Sequence, residues 1–397
     1  MIRLKDTRHP NTSGFLGSAI RIAEYYGFTP IDKLQRVRLQ APSSKREPEM
    51  SFARRDERSL MLSAKLCISA ARNQNDVLLI WRLNKNAARD RSNIPCHTIE
   101  LHIVGAPHAM AEALLIVVAD AIAADAGISR RVLSINSIGS VDSSNRFVRD
   151  IGTFLRKHID SISPTLRPRA ATDPLGTLTQ LFERGHPATP RAPQSMEYLT
   201  EDERKRFWDL LEYLEVFGVP YELSPSVLGS RDFWAHTLFE MASVDEETGS
   251  RIPFASGGRY DPLASRFAAR ETPAVVVSIA CELRGKTRVK PAVRMAPSLY
   301  FAHLGMEARR KALSVLETLR HAGIPVHQSL MYERLGEQME HAKKTSVSHL
   351  LLMGHKEAME GTVLVREVAT NSQEAVALTE LPGYLRRYKS IAATSLV

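Results

Sequence analysis

The sequence predicts an α+β fold: an antiparallel sheet flanked by helices, followed by a separate α/β domain. Three observations lead there. Up to residue 284 the apolar runs follow one another as hairpin partners more often than as strand–helix–strand units. From residue 297 strands and helices alternate regularly, the pattern of a largely parallel sheet. Within the first part, residues 160–200 change character, because prolines at 164, 168, 174, 187, 190 and 193 break any long element; the stretch reads as an insertion or lid. The expected division is a core over residues 1–284 with its insertion at about 160–200, a basic linker over 285–297 (GKTRVKPAVRMAP), and an α/β domain over 298–397.

Taken in order, residues 14–27 place Phe15, Ile20, Ala23 and Tyr26 on one helical stripe that Gly27 stops. Residues 40–50 (QAPSSKREPEM) are polar, bear prolines and read as a loop. A helix is expected over 58–72, a buried strand over 77–83 (VLLIWRL), a polar basic loop over 84–95 and an alternating strand over 97–104 (HTIELHIV). An apolar helix follows over about 109–126, then a strand and turn in VLSINSIGS. Residues 201–217 form a strong amphipathic pattern, with Thr200 as N-cap and Gly218 as stop. Beyond residue 297 come LYFAHL as strand, 306–322 as helix, IPVHQSL as strand, 335–345 as helix, then the strands HLLLMG and TVLVREV.

The centre of the pattern is residues 233–267. Thr237, Phe239 and Met241 alternate with Leu238, Glu240 and Ala242, as in a strand with two unequal faces. The polar run over 245–250 reads as a turn, and residues 252–256 as the returning strand. Gly257 and Gly258 follow that strand directly, where the lack of a Cβ lets backbone approach a ligand. Arg259, Tyr260 and Asp261 then set a cation, a phenol and a carboxylate beside the gap.

Composition narrows the function classes. With 397 residues, 44% hydrophobic and 24% charged, the chain has the make-up of a two- or three-domain globular protein. No apolar run approaches the roughly 20 residues that span a bilayer, and the 14 N-terminal residues lack the apolar core of a signal peptide, so a cytoplasmic location and no membrane partner are expected. Cys67, Cys96 and Cys281 are isolated singles with neither metal-ligand nor disulfide spacing. A formal charge of +9 favours a polyanionic partner, although the charge is spread rather than clustered.

The order of parts resembles histidyl-tRNA synthetase, a class II aminoacyl-tRNA synthetase, over nearly the whole chain. ARRKALSVLETLRHAGIPVHQSL followed by LGEQMEHAKKTSVSHLLLMGHKEAMEGTVLVRE is similar to the anticodon-binding domain of the histidine, glycine, threonine and proline enzymes. DPLGTL, VPYEL, DFWAHTLFE, SGGRYDPL and TPAVVVSIACEL are similar to the segment entering the insertion, the histidine-specific signature strands and motif 3. YYGFTPI is similar to the end of the motif 1 helix, which in the family builds the dimer interface. The resemblance implies a class II core, ATP with Mg as cofactor where the site is active, tRNA as partner, a small amino-acid or nucleotide ligand, and a homodimer.

It also implies where chemistry would reside. Adenylate formation needs cations around the ATP phosphates while a carboxylate attacks phosphorus. The motif 2 arginine falls on Arg82, although the glutamate usual two positions later is Asn84. The arginine opening the family's R-G-L-D-Y-Y falls on Gly229, with Arg231 nearby, and that of G-I-E-R falls on Leu283, with Glu282 kept and Arg284 one position late. One position on a strand or helix redirects a side chain by about 180° or 100°. For the amino acid, Glu57 and Tyr260 match contacts to the α-amino group, the expected glutamine is Thr98, and the imidazole-reading glutamate and tyrosine are His102 and Trp234. A histidine cannot accept hydrogen bonds as a carboxylate does.

Three functions follow. The first is a paralogue without aminoacylation activity that binds tRNA or a related RNA, or serves as a regulatory subunit. In the second, a working ligase, Arg231 and Arg284 replace the missing cations. The third is a regulatory subunit of ATP phosphoribosyltransferase, against which the anticodon-type domain argues. For Glu57, Arg82 and Asp232 the alternative to a ligand role is persistence as buried ion pairs.

Overall fold

In the computed structural model the described residues are 1–4, 7–34, 57–71, 76–89, 95–245, 248–285 and 297–387. The expected loop at 40–50 and most of the linker at 285–297 lie outside them.

The larger sheet has eight strands: β1 (Thr29–Pro30), β2 (Leu78–Arg89), β3 (Pro95–Val104), β4 (Arg131–Ser137), β5 (Tyr221–Leu223), β6 (Ala235–Val244), β7 (Arg251–Arg259) and β8 (Ala274–Glu282). They stand in the order β1-β2-β3-β8-β7-β6-β4-β5. The six long strands are antiparallel to their neighbours, as expected, while the short β1 and β5 add in parallel at the two edges. Strand β8, the last of this sheet in chain order, sits between β3 and β7 and joins the two halves.

Two boundaries differ from the sequence reading. The basic segment at 84–95 is not a loop throughout: β2 runs on to Arg89 and β3 starts at Pro95, with a register shift between Asn84 and Ala88. The glycines at 257 and 258 do not follow a strand either. They lie inside β7, opposite Val277 and Val276 of β8.

Period two divides the sheet. On β3, Ile99, Leu101 and Ile103 are fully buried in one apolar cluster with helices α1 (Thr12–Tyr25) and α4 (Met110–Asp125). Asn11 caps α1 by accepting from Gly14 N, so the helix starts two residues before the expected boundary. Helix α4 is buried on every side; Glu112, inside it, is fully buried too. Thr98, Glu100 and His102 point from β3 to the opposite face.

That second face is covered by α3 (Glu57–Ala71) and α9 (Asp261–Ala268), with the short α2 (Ile31–Leu34) beside α3. Beyond β4 come α5 (Val141–Lys157), α6 (Arg167–Thr172), α7 (Pro174–Glu183) and α8 (Glu201–Phe217). Several of the prolines read as interruptions start helices instead: Pro168 and Pro174 stand in the first positions of α6 and α7, where no intrahelical donor is lost. Leu166, Leu175, Leu178 and Leu181 are buried against Phe147, Ile151 and Leu155 of α5, so this stretch carries packed core.

The second sheet has the order β10-β9-β11-β12-β13, from β9 (Leu299–His303), β10 (His327–Gln328), β11 (His349–Met353), β12 (Thr362–Glu367) and β13 (Gln373–Ala377). Helices α10 (Met306–His321), α11 (Leu335–Lys344), α12 (His355–Glu360) and α13 (Leu381–Leu385) accompany it. Strands β10, β9 and β11 are parallel; β12 and β13 are antiparallel. Six-residue α12 is too short a connection for a parallel crossover, which takes about a dozen residues or more.

The two sheets share one apolar cluster, in which Leu313 and Leu316 of α10 join Leu210 and Leu214 of α8 and residues of α1. Tyr25 donates to the carbonyls of Leu316 (3.1 Å) and Ile324 (3.0 Å), and Gln328 Nε2 donates to Tyr26 O (2.9 Å). Tyr26 donates to Glu317, and Arg310 to Glu212. Among the described residues no helix is long and apolar enough to cross a membrane.

Candidate functional site

Under α3, the polar face of β3 sets Glu100 and His102 two residues apart on the same side. The cross-strand partner of Glu100 on β2 is Arg82, and the partner of Thr98 is Asn84. Arg82 donates to Ser63 Oγ on α3 and stands 3.5 Å from Glu100 Oε2; Asn84 Nδ2 approaches Glu100 Oε1 at 3.4 Å. Burial raises the Glu100 carboxyl above its ordinary range, and the opposing pull of Ser63, Arg82 and Asn84 does not cancel it. Thus the one family cation retained here is tied to a carboxylate of its own sheet.

His102 is fully buried, with Nδ1 2.9 Å from Tyr260 Oη and the two rings edge to face at 5.7 Å. Burial, with the Arg82 guanidinium adding to it, pulls the His102 pKa down to about 3. It is neutral near pH 7. Its Nε2 meets no hydrogen-bond partner among the described residues. Burial pushes the Tyr260 phenol and the Cys67 thiol upward, so neither is poised to ionise.

Beside this pair lies Glu57, the first residue of α3 and fully buried. A carboxylate suits a helix N-terminus, where exposed N–H groups and the dipole favour negative charge. Its Oε1 accepts from Ser230 N at 2.7 Å and from the indole Nε1 of Trp234 at 2.8 Å. Trp234 is itself 1% exposed. Position 229 must be glycine for this: a Cβ there would lie 2.3 Å from Trp234 Cδ1. After the indole the chain enters β6 through His236, at φ 52°, and a register shift between Ala235 and Leu238.

The remaining sequence candidates are scattered. Gly257 and Gly258 border no gap. A Cβ at 257 would meet Val276 O at 2.2 Å and Phe239 Cζ at 2.7 Å, and one at 258 would meet Thr237 O at 2.6 Å. The close approach the glycines permit is that of neighbouring strands. Arg259 is 1% exposed and points to the N-terminal end of α4, donating to Glu112 through Nε (3.1 Å) and Nη2 (2.9 Å), to Ala106 O (3.0 Å) and to Asp261 (3.3 Å). It is a clamp between β7 and α4, not a cation offered to a ligand. Glu282 accepts from Leu4 N at 3.1 Å and so holds the N-terminal segment to β8. Asp232 is half-buried, its backbone N–H donating to Ser230 Oγ. Arg231 and Arg284 are exposed; Arg231 reaches Asn145 on α5 at 2.5 Å.

The structure therefore brings together Glu57, Arg82, Thr98, His102, Trp234 and Tyr260, and leaves Glu282 and Arg259 elsewhere. Sequence reasoning missed Ser63, Glu100 and Glu112. Glu100 carried a signal, an acid in the middle of the alternating strand HTIELHIV. ATP with Mg does not fit what is described. Arg82 is paired with Glu100, and Gly229 and Leu283 offer no charge to a triphosphate.

Residues 299–388 match the anticodon binding domain family. The histidine–tRNA ligase of Acaryochloris marina is 26% identical over 348 residues, spanning 83% of this chain and 80% of that protein. The histidine–tRNA ligase of Synechococcus elongatus is 29% identical over 290 residues, 72% of this chain and 66% of that protein. Apo S. aureus histidyl-tRNA synthetase superposes with a TM-score of 0.47 at 17% identity, over 93% of this chain and 94% of that one. With an anticodon-binding domain behind a mainly antiparallel sheet, and relatives that span both, the chain is similar to the histidyl-tRNA synthetases as a divergent relative.

Proposed function

We propose that the protein is a synthetase-fold paralogue that does not activate histidine and acts in the cytoplasm by binding tRNA or a related RNA through its C-terminal domain, alone or as a regulatory subunit. The observation that carries this reading is the indole of Trp234 on Glu57. The carboxylate that the resemblance assigns to an amino group is met by the chain's own N–H donors, and the ring fills the space beside it. The altered cations point the same way. Losing one preorganised charge donor costs about 10²–10³ in rate, and two positions, Gly229 and Leu283, lack theirs.

The test is histidine-dependent pyrophosphate exchange with ATP and Mg, alongside tRNA binding across a salt series. The expected result is no exchange, with affinity falling steeply as salt rises, since each neutralised phosphate contributes about 0.7–0.9 to the log–log slope. Robust exchange abolished by Arg231→Ala would favour the rearranged ligase; the exposure of Arg231 and its bond to Asn145 speak against it. The ATP phosphoribosyltransferase reading requires association with a catalytic subunit of that enzyme, and the anticodon-binding domain speaks against it.

The same reading divides the chain at 285–297 and makes it a homodimer through α1 and the strand after it. In support, β1 is the edge strand of the larger sheet among the described residues. Sedimentation at micromolar concentration is expected to give the dimer; a monomer there would remove this part.

A further inference from the structure

The segment that carries Trp234 has the build of a moving part. Ser230 to Trp234 is one compact turn, with Phe233 N and Trp234 N both donating to Ser230 O (3.0 and 2.8 Å). Inward, Ser230 N and the indole both donate to Glu57 Oε1, and the rings of Phe233 and Trp234 are buried in the apolar cluster, Phe233 also against Tyr260. Outward it carries Arg231, exposed and tied to Asn145. Each end is a point where backbone can turn. Gly229 has no Cβ, and His236 holds φ 52°, a left-handed value that non-glycine residues seldom adopt, beside a register shift in β6. His236 is kept there by a pair of backbone bonds, its N–H to Gly139 O at 2.6 Å and Ile138 N–H to its own carbonyl at 2.8 Å.

We propose that residues 229–236 are a two-position latch. With Trp234 in, the chain occupies its own site above Glu57; with Trp234 out, turning about Gly229 and His236, that site opens. The latch rests on the reading that the site is self-occupied rather than catalytic, and it adds regulation: whatever binds above Glu57 must first displace the indole.

The protein has three tryptophans, Trp81, Trp208 and Trp234, and Trp208 is 60% exposed, so 5-fluorotryptophan labelling yields an internal standard for exposure. Assignment comes from Trp81→Phe, Trp208→Phe and Trp234→Phe. In the unaltered protein the Trp234 fluorine is expected to show little H₂O/D₂O shift. In Gly229→Ala, whose methyl would clash with Trp234 Cδ1, it should gain a shift like that of Trp208 while Trp81 stays unchanged. A folded Gly229→Ala protein whose Trp234 stays shielded overturns the latch.

A second variant guards against misfolding of the first. Trp234→Ala should remain folded and take up free indole, with a saturable rise in melting temperature that Glu57→Ala added to it abolishes. No response to indole also overturns the latch. Pyrophosphate exchange is measured separately: activity would overturn the proposed function, while the fluorine shift decides the latch by itself.

Discussion

Glu112 is a carboxylate inside an apolar helix, held by Arg259 at 2.9 Å and by Arg206 at 2.7 Å. Burial alone would raise its pKa, but the two guanidinium groups outweigh it and bring the value down to about 2. A folded-state pKa below the unfolded one means stability that is present above about 4.5 and lost as pH falls toward 2. Glu112→Gln should therefore cost about 3 kcal/mol near neutral pH, since it leaves the buried Arg259 with Asp261, at 3.3 Å, as its remaining countercharge. It should also flatten the acid limb of a pH series of urea melts. The same scale corrects a natural repair experiment. Arginine at 229 and the indole of Trp234 exclude each other, because even a Cβ at 229 falls within 2.3 Å of the ring. Gly229→Arg with Leu283→Arg is expected to yield no pyrophosphate exchange, and to depress the melting temperature unless Trp234→Ala is added.

Helix α8 shows what a short stretch of sequence can disclose. Thr200 accepts from Glu203 N at 3.3 Å, Glu203 Oε2 accepts from Thr200 N at 2.8 Å, and Gly218 ends the helix at φ 85°. Thr200→Ala should cost about 1 kcal/mol in urea denaturation. Glu203→Ala should cost about 2 kcal/mol or more, because that carboxylate also accepts from Ser140 N and Ser143 Oγ at the start of α5. Cap, stop and apolar stripe lie within twenty residues, so they were legible. The glycines of β7 were not, since the atoms that require them, Val276 O and Phe239 Cζ, come from two other strands. Arg259 was misjudged for the same reason: its partner lies 147 residues away in a helix whose composition suggested only burial. At the candidate site the positions of Glu57, His102, Trp234 and Tyr260 could be named from the resemblance. That two of them, Glu57 and Trp234, bind each other depends on how β6 enters its sheet, which no local pattern encodes.

On the scale of the whole molecule, the two sheets are fused rather than tethered. Residues of α1, α8 and α10 belong to one apolar cluster, and the hydroxyl of Tyr25 bridges to two carbonyls of the second sheet's helical layer. Calorimetry should accordingly give one unfolding transition, not two. Tyr25→Phe should lower its midpoint by a stability loss of about 1–2 kcal/mol. Two resolved transitions would mean that the docking is weaker than this packing implies.

The place of β8 bears on how the nascent chain matures. Its residues are the last of the larger sheet to be synthesised, yet they form its middle, pairing with β3 along nine positions and with β7 along five. Until then the emerging polypeptide holds a β2–β3 ribbon and a β7–β6–β4 ribbon, each with a bare inner edge that invites wrong pairing. Contacts between residues so far apart in sequence also close slowly. Ribosome-bound chains halted before residue 274 should be cut readily by protease and retained by chaperones, and chains extended well past 282 should become resistant in a single step.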